Sequence, residues 1–484
     1  MRHDYTMEQL IEDKIKRSNL SVVDDIGTVY VGEKYIYRVI NSDYVTCVKE
    51  LLESGLIQEL VSKGLFPQTE ISDKKFKGYE LVLQHEKISR IIYPFEWSPE
   101  MLRKVALCVL DVNECANKYG YELKDAHPFN VLFKYNQPMY IDFGSFVKCK
   151  IQGHWLAKKE FIDCYLNNLL LVKNGFLSLY KTAFHLKGTG YTDFEVARIN
   201  NKIYSLLGME VSKKINRILH YYQYGMFVSN TTIENKFKNI FFRNFIKFFL
   251  KSNLLPFRNT SIDSLRLKIN KIKLSHSSQW KEYHKNNNYL AENGDVQLPK
   301  RMDWVIDTIR NLPVKTVVEL AGNEGVLSRC ISSLPNIQEV ICTDYDENAI
   351  DSLLLSLKTE KIYINCFDFV DEIHEQICPD RPNRLKSDLV VALAVTHHLI
   401  LTQKYSIDYI FLTISSFTQK YIIIEFMPLG LWDGSFSPEL PSWYTEEWFI
   451  KSMQKFYRII SREQLEENRV AFIGELLNQG NLNA

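Results

Sequence analysis

The stretch that most constrains this chain is Val317-Val318-Glu319-Leu320-Ala321-Gly322-Asn323-Glu324-Gly325-Val326-Leu327-Ser328-Arg329. An apolar run ends in a carboxylate, turns through a Gly-containing loop and resumes with helical spacing, which predicts strand, tight turn and helix start. Small residues let the backbone approach a ligand, and a helix start offers unpaired N–H donors. Val340-Ile341-Cys342-Thr343-Asp344 is a second apolar run ending in an acid, the place from which an open α/β sheet holds a ribose. Ile362-Tyr363-Ile364-Asn365-Cys366-Phe367-Asp368 repeats the pattern, and Asp388-Leu389-Val390-Val391-Ala392-Leu393-Ala394-Val395-Thr396-His397-His398 reads as a fully buried strand.

This order of parts resembles class I S-adenosylmethionine-dependent methyltransferases. The loop is a variant of acid-x-Gly-x-Gly-x-Gly in which Ala321 holds the first glycine position and Asn323 the middle one, with Gly322 displaced by one. A dinucleotide-binding unit is the competing reading of the same residues. The resemblance implies a Rossmann-like α/β fold with a seven-stranded sheet.

A length of 484 residues exceeds what one core organises and predicts two or three domains. We divide the chain into a kinase-like unit over 1–190, a helical, basic, Phe-rich connection over 191–275 and a methyltransferase unit over 276–484. A hydrophobic content of 46% fits globular folding, and no apolar run approaches the roughly 18–20 residues that span a bilayer. The start of the chain leads into a charged amphipathic pattern without a secretory signal. Nine cysteines without a C-x-x-C pair suggest reduced thiols in a cytoplasmic protein rather than a zinc ribbon. A net charge of +1 supplies no global attraction to nucleic acid.

In the first third, Thr6 to Ile15 reads as a helix, and Val29-Tyr30-Val31 and Tyr35 to Ile40 flank Gly32-Glu33 as a hairpin. Helical spacing follows through Val48, Leu51, Leu52, Leu56 and Leu60, and strand-like runs return at Tyr79 to Leu83 and Ile91 to Phe95. Then come Lys124-Asp125-Ala126-His127-Pro128-Phe129-Asn130 and Ile141-Asp142-Phe143-Gly144. An acid, an amide five residues on and a second acid after a short hairpin suffice to handle a nucleotide triphosphate with magnesium. These residues resemble the small-molecule branch of the kinase-like superfamily. By that resemblance Asp125 is a base or substrate-orienting acid, Asn130 a metal ligand and Asp142 the principal metal ligand, with ATP and Mg2+ as cofactors. Arg38 stands where the family places a phosphate-pairing lysine, and no Gly-rich loop precedes it; a pseudokinase that binds nucleotide without transfer is the alternative.

Residues 236–251 place Arg243, Lys247 and Lys251 on one helical face among phenylalanines. Peripheral association with an anionic membrane, a bridging helix with its cations in water, and a single-stranded nucleic-acid surface are the three readings. Trp280, Tyr283 and Tyr289, ahead of a helix from Lys300 to Asn311, are candidate lid aromatics.

Leu123 to Ala126, Tyr93-Pro94-Phe95-Glu96-Trp97, Val391 to Leu399 and Ile424-Glu425-Phe426-Met427-Pro428 together resemble a bacterial family identified as class I methyltransferases. That family includes proteins related to a nodulation host-specificity protein. In such a fold Glu319 reaches the methionine amino group, the loop from Ala321 through Gly322 and Asn323 to Gly325 lies beneath it, Asp344 holds the ribose hydroxyls and Asp368 the adenine amine. Asp346 is expected to face solvent. Thr396 and His397 end the fourth strand and Glu425 the fifth, so all three project toward the transferred methyl, with His397 as first candidate base and Glu425 as second. Asp388 opens its strand at the opposite edge and is structural. Trp432, Trp443, Tyr444, Trp448 and Phe449 roof the acceptor pocket or pack the core. Tyr457 to Ile460 and Val470 to Glu475 resemble a terminal antiparallel pair. The combined expectation is methyl transfer to a small-molecule, saccharide or saccharide phosphate acceptor of surface polysaccharide biosynthesis; the alternative is a nucleotide-sensing protein that recruits an RNA or protein target.

Overall fold

The computed structural model describes residues 15–18, 25–150, 155–200, 261–274, 299–358, 361–371, 378, 380–432 and 434–477. The expected helix before Ile15, the basic helix over 236–251 and the aromatics Trp280, Tyr283 and Tyr289 lie outside these residues.

The chain begins with an antiparallel sheet of β1 (Lys16–Arg17), β2 (Gly27–Val31), β3 (Tyr35–Ile40), β4 (Thr69–Ile71) and β5 (Leu81–Glu86), in the order β1-β2-β3-β5-β4. The β2–β3 hairpin turns at Gly32 to Lys34, with Val31 opposite Ile36. Two short helices, α1 (Val45–Glu53) and α2 (Leu56–Ser62), bury Val48, Leu51, Leu56 and Leu60, and Gly55 joins them at φ 87°, a backbone setting that favours glycine. The organising helix is α3 (Pro99–Lys118). Ser98 accepts the Met101 N–H at its start and Pro99 takes the first position, where a missing N–H costs nothing. Its apolar stripe, including Leu102, Val105, Val109 and Val112, is buried. Two hairpin-like pairs follow: β6 (Tyr121–Leu123) with β9 (Phe146–Lys148), and β7 (Val131–Lys134) with β8 (Gln137–Tyr140). Next come α4 (Lys158–Phe161), a π-helical turn, α5 (Asn167–Lys173), α6 (Leu179–Lys187) and α7 (Asp193–Asn200). Helix α8 (Ile262–Lys271) lies on α3, where Arg266 pairs with Asp111 at 2.6 Å and Glu114 at 2.7 Å.

The second sheet carries β10 (Thr316–Glu319), β11 (Glu339–Asp344), β12 (Ile362–Cys366), β13 (Ser387–Ala392), β14 (Thr418–Phe426), β15 (Tyr457–Glu466) and β16 (Arg469–Leu476). Their order is β12-β11-β10-β13-β14-β16-β15, and β16 alone runs against the others. Helices α9 (Lys300–Asn311), α10 (Val326–Ser332), α11 (Glu347–Ser356), α12 (Arg381–Leu385), α13 (Ile407–Ser416) and α14 (Glu446–Met453) accompany it. Because both sheet faces are covered, β10, β11 and β13 are near-continuous apolar runs. The strand order reverses between β10 and β13, so the crevice beyond their carboxyl ends is where such a sheet takes a ligand.

The first half of the chain covers the β12 edge of this sheet. Ser89 hydrogen-bonds Tyr363 at 3.0 Å, Tyr135 packs on the Tyr363 ring at 4.9 Å, and the Glu100 N–H is accepted by Asp351 of α11 at 2.9 Å. An exposed strand edge is a template for unwanted pairing, and covering it removes that hazard. Ile91 to Phe95, expected as a strand, is instead an irregular segment leading into a 3-10 turn at Pro94–Glu96. Pro94 has no N–H to give a ladder, and the Glu96 carboxylate accepts the Tyr93 N–H at 2.8 Å.

Candidate active site

The loop between β10 and α10 is built from left-handed residues that are mostly not glycine. Ala321, Asn323 and Gly325 have φ of 55°, 51° and 65°, so the conformation normally left to glycine is held here by alanine and asparagine. Gly322 is required for space: a Cβ there would lie 2.7 Å from Cys342 Sγ and 2.9 Å from Glu319 Cδ.

Two carboxylates flank this loop on neighbouring parallel strands. Glu319 closes β10, is 6% exposed and accepts the Ser328 hydroxyl. Burial pushes its carboxyl up to about 7, with Asp344 adding to the shift. Asp344 closes β11, also 6% exposed, and accepts the N–H groups of Asn323 at 2.8 Å and Asp346 at 2.9 Å. Burial lifts it to about 6 against those two backbone donors. Among the described residues neither carboxylate is paired with a cation, which for buried acids is costly. Asp368 follows β12, partly exposed, and accepts the Val370 N–H at 3.1 Å.

Asp346 corrects its expectation. It is buried, and its carboxylate accepts the Asn348 and Ala349 N–H groups as the N-cap of α11. The Asp-x-Asp-x-Asn spacing of Asp344 to Asn348 carries that signal, since an acid two residues before a helical N–H is the usual capping arrangement.

Beyond β13 the structure also differs. The strand ends at Ala392, and Thr396 and His397 stand on the helical turn that follows. Ala394, at φ 52°, makes the bend, and its N–H is accepted by Glu425 at 2.9 Å. Thr396 is buried and donates its hydroxyl to the Glu425 carbonyl at 2.8 Å, so it fastens this turn to β14. Glu425 is fully buried, and Arg469 of β16 pairs with the same carboxylate oxygen at 2.8 Å. A carboxylate so engaged ties the Ala394 turn to β16. His397 is buried beside His398, with ring centroids 4.1 Å apart, and its Nδ1 has no hydrogen-bond partner. Burial, then His398 and Arg469, push its imidazolium down to about 3, so the ring is neutral at physiological pH. Asp388, at the other end of β13, accepts the Lys315 and Thr316 N–H groups at 2.8 and 3.0 Å and ties the strand starts together.

The aromatic group after β14 divides in two. Phe449 is fully buried among Phe411, Phe426 and Phe472, a core residue. Tyr444 is buried and donates to the Met427 carbonyl at 3.1 Å, while Trp443 is 49% exposed and lies 4.9 Å from Trp448.

In the first half, Arg38, Asp125, Asn130 and Asp142 surround one region. Asp142 caps a 3-10 turn by accepting the Gly144 N–H at 3.0 Å, and Arg38 Nη2 stands 3.6 Å from the same oxygen. Asp125 accepts the His127 N–H at 2.6 Å, its carbonyl takes the Tyr140 hydroxyl at 2.9 Å, and Asn130 Nδ2 is buried without a partner. Glu160, which the sequence reading missed, accepts the Ala126 N–H at 2.7 Å. Burial lifts its carboxyl to about 7, with the neighbouring Asp125 adding to the rise. Nothing in the local sequence around Lys158 to Phe161 marks it; only its packing against the Asp125 turn does. Among the described residues no three His, Cys, Asp or Glu side chains converge as a metal site.

The second sheet, its switch point and its acid-flanked loop define an open α/β fold of the class I methyltransferase type. No protein-family model matches the sequence. The nodulation protein NoeA of Rhizobium meliloti (strain 1021) is 24% identical over 479 residues, spanning 91% of each chain. Among solved structures, an S-adenosylmethionine-dependent methyltransferase from Clostridium acetobutylicum ATCC 824 aligns at 14% identity and TM-score 0.30, covering 41% of this chain and 98% of that one. The N-methyltransferase NodS from Bradyrhizobium japonicum WM9 aligns at 11% identity and TM-score 0.28, covering 37% and 98%. Among the described residues no helix is long and apolar enough to cross a membrane.

Proposed function

We propose that this chain is an S-adenosylmethionine-dependent methyltransferase acting on a saccharide or saccharide phosphate. The observation that carries the reading is the pair Glu319 and Asp344: two buried acids with no cation paired to them among the described residues, on adjacent strand ends, around a loop whose Gly322 has no room for a side chain. A cationic nucleoside fits that donor set. When bound, S-adenosylmethionine supplies a sulfonium methyl for in-line transfer, and most of the rate comes from alignment.

Each residue then has a defined task. Glu319 accepts the ligand ammonium, Asp344 the ribose diol and Asp368 the adenine amine. Glu425 holds the Ala394 turn and Arg469, and Thr396 locks that turn to β14, so the pair fixes where His397 points. His397, neutral and with Nδ1 unsatisfied, accepts a hydrogen bond from the acceptor hydroxyl, orients its lone pair toward the methyl and takes the proton that the hydroxyl gives up as its oxygen is methylated. The exposed Trp443 face beside Trp448 supports a sugar acceptor, since aromatic faces cover the apolar side of a pyranose.

The test is titration calorimetry with S-adenosylmethionine on wild type, Asp344→Ala and Glu319→Gln, followed by transfer of labelled methyl to a lysate glycan fraction. Saturable binding that both variants weaken is expected. A wild-type protein that binds no S-adenosylmethionine ends the reading.

For the kinase-like unit the second reading, nucleotide binding without phosphoryl transfer, has its own support. Asp125 accepts the His127 N–H and lies beside Glu160, whose carboxyl burial lifts to about 7, so the acid that would serve as base is engaged, and an arginine, Arg38, stands against Asp142. Asn130 and Asp142 would hold Mg2+ with ATP oxygens completing the shell. Titration with Mg·ATP, paired with an ATPase assay, should give binding that Asp142→Ala removes and no turnover; phosphate release at a catalytic rate would refute it.

A further inference from the structure

Because β16 runs against its neighbours, its first residues lie at the carboxyl ends of the parallel strands, the edge of the sheet where ligands are taken. Phe426, the last residue of β14, stands opposite Val470, and Glu425 stands opposite Ala471. The short turn between β15 and β16, Glu467-Asn468, is thereby carried up to the loop that leaves β14.

Two neighbouring side chains at this turn hold two different segments. Arg469 pairs with Glu425, whose carboxylate accepts the Ala394 N–H, and so bears on the turn that carries His397. Asn468 is buried, and its amide takes up the loop after β14: Oδ1 accepts the Leu429 N–H at 2.6 Å and Nδ2 donates to the Gly430 carbonyl at 3.4 Å. The Leu429 carbonyl in turn accepts the Ser437 hydroxyl at 2.6 Å, on the way to Trp443. Gly430, at φ 58°, has no room for a side chain: a Cβ there would lie 2.5 Å from Leu440 Cδ2 and 2.8 Å from Leu401 Cδ1. Leu401 belongs to the π-helical turn His398–Thr402 directly after His397, and Leu440 stands three residues before Trp443. Gly430 is therefore wedged between the segment bearing the candidate base and the segment bearing the exposed indole, and Asn468 holds it there.

We infer that Asn468 is a positioning residue for methyl transfer: through Leu429 and Gly430 it sets the spacing between the His397 turn and the Trp443 face, the two walls between which the acceptor is held. The inference rests on the methyltransferase reading above. Asn468 takes no part in the β10–α10 loop or in the bonds of Glu319 and Asp344, so its loss should act on the acceptor side alone. A reacting group displaced by about 1 Å can cost about a hundredfold in rate, so one hydrogen-bonded amide at this place has leverage on the chemistry.

Asn468→Ala and Asn468→Asp in the full chain test it, with methyl-labelled S-adenosylmethionine at saturation and a fixed amount of lysate glycan fraction as acceptor. Aspartate keeps the oxygen that accepts the Leu429 N–H and gives up the weaker donor, whereas alanine loses both. The expected result is transfer slowed about tenfold or more in Asn468→Ala and largely recovered in Asn468→Asp, with S-adenosylmethionine affinity by calorimetry within about twofold of wild type in both. Deuterium exchange at the Leu429 N–H should quicken in the alanine variant, which ties the lost rate to the lost bond. Wild-type transfer by Asn468→Ala overturns the inference and leaves the methyltransferase reading standing, as does a loss of rate matched by an equal loss of S-adenosylmethionine affinity. A wild-type chain that binds no S-adenosylmethionine overturns both.

Discussion

Glu96 and Arg381, 285 positions apart in sequence, meet at 2.7 Å with the glutamate completely buried. Arg384 joins them at 2.8 Å and stacks its guanidinium 4.4 Å from the Tyr93 ring. Burial opposes the charge on Glu96, but the two guanidiniums hold its carboxyl below the usual range. This triad fastens the covering half to the β12 side of the second sheet. Removing the shared anion strands two buried cations, so Glu96→Gln should cost about 3–5 kcal/mol, read as a lowered denaturant midpoint. The triple replacement Glu96→Leu, Arg381→Met, Arg384→Met should lose far less, because a buried ion cluster exchanged whole for apolar side chains is often neutral. Equal losses in the two proteins would contradict this account.

The loop at Ala321 separates strain from space. Ala321 sits at φ 55°, a setting that costs a non-glycine residue roughly 1–2 kcal/mol, so Ala321→Gly should raise stability by about 1 kcal/mol once glycine's greater freedom in the unfolded chain is subtracted. Its neighbour behaves oppositely. Gly322→Ala drives a methyl into Cys342 and Glu319, and should abolish S-adenosylmethionine binding while thermal stability falls. Measuring both melts and both affinities checks the pair; a Gly322→Ala protein that binds as wild type would refute the close approach.

Ligand affinity should depend on pH through Glu319. Its carboxyl stands at about 7 in the fold against 4.5 ordinarily, so between those values the fold holds a proton that the unfolded chain has released. The unliganded protein therefore loses stability as pH rises across that window. A cationic ligand needs the carboxylate ionised and expels the proton, so affinity should rise from pH 6 to 7.5 with up to one proton released. Calorimetry in buffers of different ionisation enthalpy measures that proton directly. A dissociation constant independent of pH, or no release, would place the ligand ammonium elsewhere.

What the sequence made legible follows from distance along the chain. Strand β10, its loop and the acids Glu319 and Asp344 lie within one local pattern, and period and punctuation locate them. Tyr93 to Trp97 stood out as a motif but was read as part of a strand, because its partners Arg381 and Arg384 come nearly three hundred residues later. Thr396 and His397 extended an unbroken apolar run, and nothing in that run announced that Ala394 would take a left-handed turn. Glu160 is invisible for the same reason: its meaning comes from the Asp125 turn, which it meets through the N–H of Ala126, 34 residues upstream. Asp346 is the exception, a local capping signal overlooked in favour of the commoner exposed acid.

The aromatic segment after β14 offers a test that splits packing from recognition. Tyr444 is anchored to the Met427 carbonyl, one residue past the end of the strand that carries Glu425, and Trp443 stands on it with ring centroids 6.1 Å apart. That fixes an exposed indole relative to the turn bearing His397. Trp443→Ala removes a face from solvent contact and little from the core, so stability should change by less than about 0.5 kcal/mol. If the indole stacks on the acceptor, the acceptor KM should rise about tenfold while S-adenosylmethionine affinity stays constant, since stacking of this kind contributes on the order of 1 kcal/mol. Phe449→Ala is the counterpart: fully buried against Phe411, Phe426 and Phe472, it should cost about 3–5 kcal/mol and lower all activity through unfolding. A Trp443→Ala enzyme with wild-type kinetics toward its acceptor would return the whole segment to a packing role and leave the acceptor to be held by the His397 turn alone.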